Sequence, residues 1–510
     1  MALPPWIAAG ARLEAEGRFA ASWSAGELAR HIDDCVDALA QLPRPATVGL
    51  AADNSPHWIA ADLATHAARV NLVPLPAFFT AEQMTNAIRA SGMHAIFTAK
   101  AAHASALGFT EELASIGPLR LFRSNAPDTP PIPLGTEAHK ITFTSGTTQA
   151  PKGVALSAEQ QLNTAKSLAA VTARLGIRRH LCALPLPVLL ENVAGAYTAL
   201  VLGATCICPT LADVGMTGAS GFDPERLLDA IAYYEPESVI LLPQMLQAIA
   251  ARLAARPKRD PRIRSLVLVS VGGAKTPAAL IVAARQRGMP VYEGYGLTEC
   301  GSVVSLNLPG ADRVGTVGKS LPGVMVRTAA DGELEVAGRP YVGYLGSIGD
   351  EPQTWFATGD LGAIDADGFV TITGRKKNVL VTSFGRNISP EWPESLLLGS
   401  PHIAQAGVFG DAQPYLVAVV VAAANQIADA ALEEAVQQAN LHLPDYARIR
   451  FWIRAAEPFT ARNGLATANG RIRRDVVSER YADRLNALYD TRVLPAGDGA
   501  AHKDFFKTSS

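Results

Sequence analysis

The apolar residues of the first hundred positions follow two periods in turn, one typical of helices and one typical of strands. From Trp23 to Leu42 they recur at helical spacing, which predicts an amphipathic helix. The pattern then predicts strands at 47–52, 70–75 and 94–98, and between them helices at 56–69 and 81–90. Strands that alternate with helices of this length favour parallel pairing, so the pattern predicts a layered α/β fold.

The same alternation continues over the next two hundred residues. Residues 181–192 begin as an apolar strand, which two prolines end, and a helix is predicted to begin after them. The most apolar span of the chain, 193–209, contains Gly195 and Gly203. That span is shorter than the roughly 20 apolar residues of a membrane helix. We therefore predict a buried helix followed by a strand there, and no integral membrane segment.

Composition and charge narrow the class of protein. The chain has 510 residues, which is too long for one core, and a net charge of −2 with a pI near 6.6. Without a basic excess, no nucleic-acid partner is expected. The N-terminal segment has no basic stretch followed by an apolar one, so no secretory signal is predicted and a cytoplasmic location is expected.

The five cysteines do not suggest a disulfide framework, because their number is odd and none forms a C-x-x-C pair. Cys206 and Cys208 alternate with Ile207. This spacing favours one face of a buried strand over a pair of metal ligands.

A loop of short hydroxyl side chains is the first candidate for chemistry. Residues 141–157 read I-T-F-T-S-G-T-T-Q-A-P-K-G-V-A-L-S. Small side chains and Gly146 let several backbone N–H groups turn toward one point, and the ammonium of Lys152 adds positive charge. The pattern differs from the common P-loop, in which the lysine follows a glycine directly. It predicts a loop that binds nucleotide phosphates.

Two further motifs follow predicted strands. The glycine pair of V-G-G-A-K, residues 271–275, leaves room for a flat ligand at the end of a strand. In E-G-Y-G-L-T-E, residues 293–299, the ring of Tyr295 is suited to stacking on a base. Thr298 and Glu299 are suited to a magnesium ion, which prefers carboxylate and phosphate oxygens.

In this order, the motifs resemble those of the adenylate-forming (AMP-binding) superfamily, which includes acyl-CoA synthetases, peptide-synthetase adenylation domains and firefly luciferase. The resemblance covers essentially the whole chain and is greatest to medium- and long-chain fatty acyl-CoA synthetases. It implies a large N-terminal domain of layered α/β sheets, residues 1–375, that binds ATP and the acyl group. It also implies a small, mobile C-terminal α+β domain, residues 376–510, that swivels at a hinge at Lys377.

The resemblance implies a role for each matching residue. Expected to bind ATP or AMP are Thr144, Ser145, Gly146, Thr147, Thr148, Lys152, Gly272, Gly273, Ala274, Tyr295, Gly296, Thr298, Asp360 and Arg375. Thr144 and Glu299 are expected to hold Mg²⁺, and Lys152, Glu299 and Arg471 to act in catalysis. The loop Phe384, Gly385 and Arg386 is expected to face CoA.

The implied reaction has two steps. A small-molecule carboxylate attacks the α-phosphate of ATP and gives an acyl-adenylate, and a thiol then displaces AMP. The expected cosubstrates and cofactors are ATP, Mg²⁺ and CoA. An apolar acyl chain is favoured because no charged side chain stands out along 184–192 or near Gly294. One alternative is transfer to the phosphopantetheine of a carrier protein; another is a nucleotide-binding protein impaired in adenylation.

The chain departs from the family pattern at two positions. Arg471, in A-T-A-N-G-R, stands where the family has a lysine that reaches the substrate carboxylate, and a planar guanidinium is not a conservative replacement. Three options stay open: Arg471 does the same work, Lys503 or Lys507 replaces it, or adenylation is impaired. The second departure is Gln149, where the phosphate loop commonly has glycine.

Overall fold

A computed structural model describes most of the chain. The described residues are 4–16, 21–125, 138–144, 152–217, 221–256, 259–338, 341–346, 354–384, 386–467 and 470–489. The chain divides into two compact units, a large one of Met1–Thr373 with Ala468–Arg471 and a small one of Gly374–Thr467 with Ile472–Ser510.

The first part of the large unit alternates strands with helices. In chain order the elements are β1 (Arg12–Ala15), β2 (Ala21–Ser24), α1 (Ala25–Leu39), β3 (Thr47–Ala51), α2 (Pro56–Ala67), β4 (Asn71–Pro74), α3 (Ala81–Ser91), β5 (Ala95–Thr98), α4 (Ala101–Ala106), β6 (Phe109–Ile116), β7 (Leu119–Ser124) and β8 (Ala138–Thr144). The predicted strands and helices between residues 47 and 98 are confirmed, with shifts of a few residues at their ends.

The predicted helix from Trp23 to Leu42 was wrong at both ends. Trp23 lies in β2, and α1 runs only from Ala25 to Leu39. Ser24 ends the strand and caps the helix: its hydroxyl accepts a hydrogen bond from the N–H of Glu27, and its own N–H donates to the Glu27 carboxylate at 2.7 Å. This capping box starts the helix two residues later than the apolar spacing indicated.

The middle of the large unit continues the alternation and includes one π-helix. The elements are β9 (Lys152–Ser157), α5 (Ala158–Thr172), β10 (Arg179–Leu181), α6 (Leu189–Glu191), the π-helix Asn192–Tyr197, α7 (Thr198–Leu202), β11 (Thr205–Ile207), β12 (Met216–Thr217), β13 (Gly221–Phe222), α8 (Pro224–Tyr234), β14 (Ser238–Leu241), α9 (Pro243–Ala254), β15 (Leu268–Val271), α10 (Ala278–Gln286), β16 (Val291–Leu297), β17 (Ser302–Leu306) and β18 (Lys319–Ser320). A buried helix followed by a strand, as predicted for 193–209, is what the structure contains.

Two large sheets organise this unit. One has the strand order β18-β17-β16-β15-β14-β10-β11-β1-β2. The other has the order β21-β9-β8-β4-β3-β5-β7-β6, with β21 (Gly343–Tyr344) at its edge. In the chain, β21 follows β19 (Met325–Thr328) and β20 (Glu333–Ala337). The central pairs of both sheets are parallel, as the alternation predicted.

The helices α1 and α2 contribute to a core that both large sheets share. Leu13 of β1, Val48 of β3, Leu28 of α1 and Trp58 of α2 are all buried in one apolar cluster. A helix layer that packs against two sheets gives the layered α/β architecture. The predicted fold class is confirmed.

The last elements of the large unit form a sheet of their own. Strands β22 (Phe356–Ile364) and β23 (Val370–Arg375) follow β21, and the order in the sheet is β19-β20-β22-β23. The pairing of β20 with β22 is antiparallel. This sheet places Asp360 in the middle of β22.

The small unit is built around one strand whose two faces are both covered. Its elements are β24 (Leu380–Val381), β25 (Asn387–Ile388), α11 (Glu391–Leu397), β26 (Ile403–Phe409), β27 (Leu416–Ala422), α12 (Asp429–Asn440), β28 (Ile449–Arg454), α13 (Arg474–Arg480) and α14 (Ala482–Tyr489). Alternate residues of β27 pack with α11 and α12 on one side and with α13 and α14 on the other. This is the predicted small α+β domain.

In the parts of the chain that the structure describes, no helix combines the length and the apolar character that crossing a bilayer requires.

Candidate functional site

Tyr344 connects two residues that the sequence assigned to different motifs. Strand β21 pairs with β9, with Tyr344 opposite Val154, and this pairing brings Tyr344 next to Lys152. The Lys152 ammonium lies 5.5 Å from the centre of the Tyr344 ring, and the Tyr344 hydroxyl donates a hydrogen bond of 2.9 Å to Glu299 Oε1. The lysine of the predicted phosphate loop and the predicted magnesium ligand therefore belong to one cluster.

Glu299 is held by its backbone as well as by its side chain. It lies in the 3₁₀ helix Thr298–Cys300, directly after β16. Its carbonyl oxygen accepts a hydrogen bond of 2.8 Å from the side chain of Gln160, which is buried on α5. Burial, and then the negative charge of Glu299, raise the pKa of Tyr344, so its hydroxyl stays protonated and donates.

The geometry of this cluster fits a magnesium ion. Mg²⁺ binds oxygen ligands and commonly takes one or two carboxylates together with phosphate oxygens. Glu299 Oε1 accepts a hydrogen bond from the Tyr344 hydroxyl, and its carboxylate is the kind of oxygen ligand that the ion prefers. Thr144, the second predicted ligand, is the last residue of β8 and lies opposite Lys152 in the β8–β9 register.

Tyr295 and Asp360 form a second polar pair in the same unit. The Tyr295 hydroxyl donates a hydrogen bond of 2.6 Å to Asp360 Oδ2. Asp360 is buried on β22, where its N–H donates to the hydroxyl of Thr358 at 3.0 Å. The preceding Gly359 N–H donates to the carboxylate of Glu333 at 2.7 Å. These bonds fix the Asp360 carboxylate relative to the ring that is predicted to face the base.

The predicted glycines leave space for backbone as well as for a ligand. Gly273 has a φ of +84°, which favours glycine. A Cβ on Gly272 would lie 3.1 Å from the carbonyl oxygen of Gly294, and one on Gly296 would lie 1.6 Å from that of Ser302. Gly296 is thus required by the close approach of β17 to a bulge in β16, whatever it contributes to nucleotide binding.

Glu293 is a buried carboxylate that the sequence did not single out. Its side chain accepts a hydrogen bond of 2.9 Å from the N–H of Thr276 and is almost fully buried. Burial raises the pKa of Glu293 to about 7. Glu293 lies two residues before Tyr295, so its charge changes close to the predicted adenine motif in the neutral pH range.

Arg471 reaches the glycine-pair loop. Residues 468–471 group with the large unit, and the guanidinium of Arg471 donates to the carbonyl oxygen of Gly273 from Nη2 at 2.7 Å and from Nε at 3.2 Å. Next to it, the carbonyl oxygen of Gly470 accepts a hydrogen bond from Gln244 at 3.2 Å. The residue that departs from the family pattern is therefore next to a predicted nucleotide loop.

Several predicted residues cannot be described or belong to the small unit. Ser145, Gly146, Thr147, Thr148, Gly385, Gln149, Lys503 and Lys507 lie outside the described residues. Arg375 ends β23, and Lys377 lies in the 3₁₀ helix that follows it. In the predicted CoA loop, Phe384 is 77% exposed and the Arg386 guanidinium lies 5.7 Å from the centre of the Tyr446 ring.

Sequence reasoning missed Tyr344, Gln160 and Glu333, which position predicted site residues. None of them lies in a recognisable motif. Tyr344 is brought to Glu299 by the pairing of β21 with β9, and Glu333 is brought to Gly359 by the pairing of β20 with β22. Such contacts follow from strand pairing across the chain and leave no local pattern.

Comparison with protein families identifies the family of the chain. The model of the AMP-binding enzyme family matches residues 15–348, more than half of the chain, and the model of the AMP-binding enzyme C-terminal domain matches residues 377–493. The chain belongs to the AMP-binding enzyme family. The predicted resemblance to adenylate-forming enzymes is confirmed.

This AMP-binding enzyme has relatives with different named substrates. It is 35% identical over 280 residues to a long-chain-fatty-acid–CoA ligase of Mycobacterium bovis, covering 49% of this chain and 46% of the relative. It is 30% identical over 331 residues to a feruloyl-CoA synthase of Amycolatopsis, covering 60% and 64%. The chain thus spans about half to just under two thirds of the length of these relatives.

Solved structures show the same fold over nearly the whole chain. An anthranilate CoA ligase in complex with anthranoyl-AMP has a TM-score of 0.75 at 19% identity, over 93% of this chain and 94% of that one. The o-succinylbenzoate CoA synthetase of Bacillus subtilis, in complex with its acyl-adenylate, has a TM-score of 0.71 at 21% identity, over 91% and 94%. At these identities the likeness concerns the fold.

Proposed function

We propose that this AMP-binding enzyme activates a carboxylic acid with ATP through an acyl-adenylate and then transfers the acyl group to CoA. The observation that carries the proposal is the cluster of Lys152, Tyr344 and Glu299. It combines an ammonium, a hydroxyl donor and a carboxylate beside the phosphate loop. The Tyr295–Asp360 pair of the same unit adds groups suited to a nucleoside.

Each of these groups has a distinct task in the first step. Lys152 and the backbone of the hydroxyl-rich loop would bind the phosphates that leave as pyrophosphate. Asp360 would accept hydrogen bonds from the ribose hydroxyls, and the Tyr295 ring would pack on the adenine. A magnesium ion held by Glu299 and Thr144 would neutralise phosphate charge. The chain thus supplies mainly positioning and electrostatic stabilisation, as phosphate chemistry requires.

Arg471 is the proposed cation for the attacking carboxylate. Two anions, the substrate carboxylate and the α-phosphate, must approach each other, so a positive charge between them lowers the barrier. The contact of Arg471 with the Gly273 carbonyl oxygen supports this role, because it brings the guanidinium to the predicted adenine-side loop. A guanidinium can donate from two nitrogens to one carboxylate.

The groups around the glycine pair favour an apolar acid. A Cβ on Gly273 would lie 3.1 Å from Leu242 and 3.8 Å from Leu190. Leu190 and Ala194, at the start of the π-helix region, also pack in the apolar cluster that includes Tyr295. These four side chains are aliphatic or aromatic and carry no charge. The charged group beside them, the Arg471 guanidinium, is assigned to the carboxylate end of the acid. We therefore propose a fatty acid as substrate, and with it a role in fatty acid metabolism.

The second step needs a thiol acceptor. The exposed Phe384 and Arg386 are the proposed contacts for CoA, and Lys377 is the proposed hinge of the small C-terminal domain. The proposed boundary between the domains is after Arg375, and the proposed location is the cytoplasm, where ATP and CoA are available. A carrier protein is the alternative acceptor.

The test is pyrophosphate release from ATP over a panel of acids. The panel contains fatty acids of increasing chain length, ferulate, anthranilate and o-succinylbenzoate, each with and without CoA. Carboxylate-dependent release, with AMP and acyl-CoA as products when CoA is present, is the expected result. The largest kcat/KM is expected with a fatty acid.

The outcomes separate the alternatives. Acyl-adenylate that accumulates with CoA but is discharged by a phosphopantetheine carrier protein would favour the carrier reaction. Release that is greatest with an aromatic acid would overturn the fatty-acid assignment alone. Measurable ATP binding without pyrophosphate release for any acid would leave a nucleotide-binding protein and contradict the proposed activity.

A further inference from the structure

Cys182, Cys206 and Cys208 meet in the core of the large unit, although 24 residues separate Cys182 from Cys206. Cys206 lies in β11, and Cys182 and Cys208 directly follow β10 and β11. The parallel register places His180 opposite Cys206 and Leu181 opposite Ile207. Because side chains alternate along a strand, His180, Cys182, Cys206 and Cys208 all project from the same face of the sheet.

The sulfur atoms of these cysteines form a nearly equilateral triangle. The Sγ–Sγ distances are 3.6 Å for Cys182–Cys206, 3.7 Å for Cys182–Cys208 and 3.5 Å for Cys206–Cys208. All three side chains are fully buried. These distances are far beyond a disulfide bond, which is about 2.05 Å long.

The triangle has the dimensions of one face of a zinc–thiolate tetrahedron. Zinc–sulfur bonds of about 2.3 Å space the sulfur atoms about 3.8 Å apart. An ion about 2.3 Å from all three sulfur atoms would lie about 1 Å outside their plane. Thiols in simple contact have a similar spacing, so the neighbouring polar groups are needed to distinguish the two cases.

A buried histidine and a buried glutamate adjoin the thiols. His180 Nε2 lies 2.9 Å from Glu191 Oε1, and ligand atoms of His180, Glu191 and Cys182 lie within 4.8 Å of one another. An imidazole and a carboxylate are costly to bury among small apolar side chains. Both ring nitrogens of His180 have partners, Nε2 with Glu191 and Nδ1 with Ser238, so the carboxylate is the group of this pair that can reach a metal ion. Carboxylates that bind metal ions are themselves commonly hydrogen-bonded, as Glu191 is here.

The surroundings hold this pair in place. His180 Nδ1 lies 2.9 Å from the hydroxyl of Ser238, and Glu191 Oε2 accepts a hydrogen bond of 2.8 Å from the N–H of Leu184. A Cβ on Gly195 would lie 2.2 Å from Glu191 Oε1 and 2.5 Å from His180 Nε2. A side chain at position 195 of the π-helix would overlap this pair, so a glycine is required there.

We propose that Cys182, Cys206 and Cys208 bind a structural zinc ion, with the carboxylate of Glu191, which adjoins Cys182, as the fourth donor. The three thiols coordinate as thiolates, so three protons are released to solvent when the ion binds. The ion would join β10 to β11 inside the core, and it takes no part in the proposed reaction. Full burial requires that it enters during folding.

The test is the metal content of tag-free protein purified under reducing conditions from zinc-supplemented cells. Elemental analysis is expected to give close to one zinc ion per chain. Cys206→Ser, Cys182→Ser and Cys208→Ser are each expected to lose zinc. Cys35→Ser and Cys300→Ser are the matched controls: both cysteines are buried elsewhere, and these variants should keep the full zinc content.

A second measurement, on the wild-type protein, tests the proposal even if the serine variants fail to fold. Wild-type protein refolded with Co²⁺ in place of zinc should show thiolate-to-cobalt charge-transfer absorption and the visible bands of tetrahedral cobalt. Folded wild-type protein without zinc and without these bands would overturn the proposal. Zinc that persists in a folded Cys182→Ser/Cys206→Ser/Cys208→Ser variant would also overturn it, because the ion would then be bound elsewhere.

Discussion

Two lysines on neighbouring strands of one sheet show how differently the large unit uses the same charge. Lys140 lies on β8 and is fully buried, whereas Lys152 begins β9 and is exposed. The Lys140 ammonium lies 2.9 Å from Asp62 Oδ1 and 2.6 Å from Asn192 Oδ1. Lys152 instead faces the ring of Tyr344.

The difference follows from position along the strands. Lys140 points into the core in the body of the sheet, so its charge must be compensated by Asp62 and neighbouring polar groups. Tyr197 donates to the same Asp62 carboxylate at 2.9 Å, which leaves little room for a ligand. Lys152 lies at the strand end, where a phosphate can reach it. We therefore expect the buried charge to act in stability, and the exposed one to act in the proposed reaction.

The largest expected effect is the loss of stability on Asp62→Ala. Removing Asp62 leaves the Lys140 ammonium buried without its counter-charge, and we expect a loss of about 3–5 kcal/mol of unfolding free energy. Denaturant unfolding measures it. Glu111→Ala, which breaks the exposed ion pair with Arg123, is the control and should cost less than about 1 kcal/mol. Equal losses for both would contradict the distinction.

Glu299→Ala is expected to lower kcat/KM for pyrophosphate release by about 100- to 1,000-fold, because a preorganised charge at the phosphates is lost. Its unfolding free energy should change little, in contrast to Asp62→Ala. Glu159→Ala, which removes an exposed carboxylate from the first turn of α5, is the control. Unchanged activity of Glu299→Ala at limiting magnesium would remove Glu299 from the site.

Glu293 combines features of the two lysines: its side chain is buried, as that of Lys140 is, but it belongs to the predicted nucleotide motif. Its folded pKa of about 7 is above the ordinary 4.5, so the folded state binds the proton more tightly. Stability is then fully present below pH 4.5 and falls as the pH rises through 7, by about 3 kcal/mol. Glu293→Gln should remove this slope and be the more stable protein at pH 8.

Unfolding curves at pH 5 and pH 8 measure this effect. Glu82→Gln, on the exposed side of α3, serves as the control and should keep the wild-type slope. If Glu293→Gln keeps the wild-type slope too, Glu293 is ionised in the folded protein and is not the source of the pH dependence.

Substitutions of Arg471 test whether its exposed guanidinium completes the proposed nucleotide site. Arg471→Ala should lower the rate of carboxylate-dependent pyrophosphate release by about 10- to 100-fold, the equivalent of a charge-assisted hydrogen bond. Arg471→Lys, which keeps the charge, should stay within about tenfold of wild type. If both variants keep the wild-type rate, Lys503 and Lys507 become the candidates.

The smallest effect is expected for Tyr344→Phe. Loss of one hydrogen bond to Glu299 costs about 0.5–1.5 kcal/mol, so kcat/KM should fall by roughly threefold to tenfold. Tyr233→Phe is a matched control, because the Tyr233 hydroxyl also donates to a glutamate, Glu16, outside the site. A similar decrease in both variants would mean that Tyr344 has no special connection to Glu299.

Much of the fold could be predicted because its signals are local. The strands and helices between residues 47 and 98 follow from the period of their apolar residues, and their alternation implied parallel sheets. The helix at Trp23 was misplaced because the pattern of apolar residues continues through the end of β2. The capping contact of Ser24 with Glu27, and not the apolar period, sets the start of that helix.

The candidate site could be predicted only as separate motifs. Lys152, Glu299, Tyr295 and Asp360 were each named from short patterns, and the structure brings them together as two clusters. Tyr344 could not be named, because an isolated Gly-Tyr pair carries no signal for an edge strand. No local pattern connects Cys182 with Cys206 and Cys208, because 24 residues separate Cys182 from Cys206.

The sequence by itself determined the α/β architecture, the family and most of the groups that are proposed to bind the nucleotide, since these depend on periodicity and on contiguous motifs. Only the tertiary structure decided which charges are buried and which are exposed, and which side chains meet across strands. Burial and pairing depend on where distant segments are placed. The contrast between Lys140 and Lys152, twelve residues apart, comes from that placement alone.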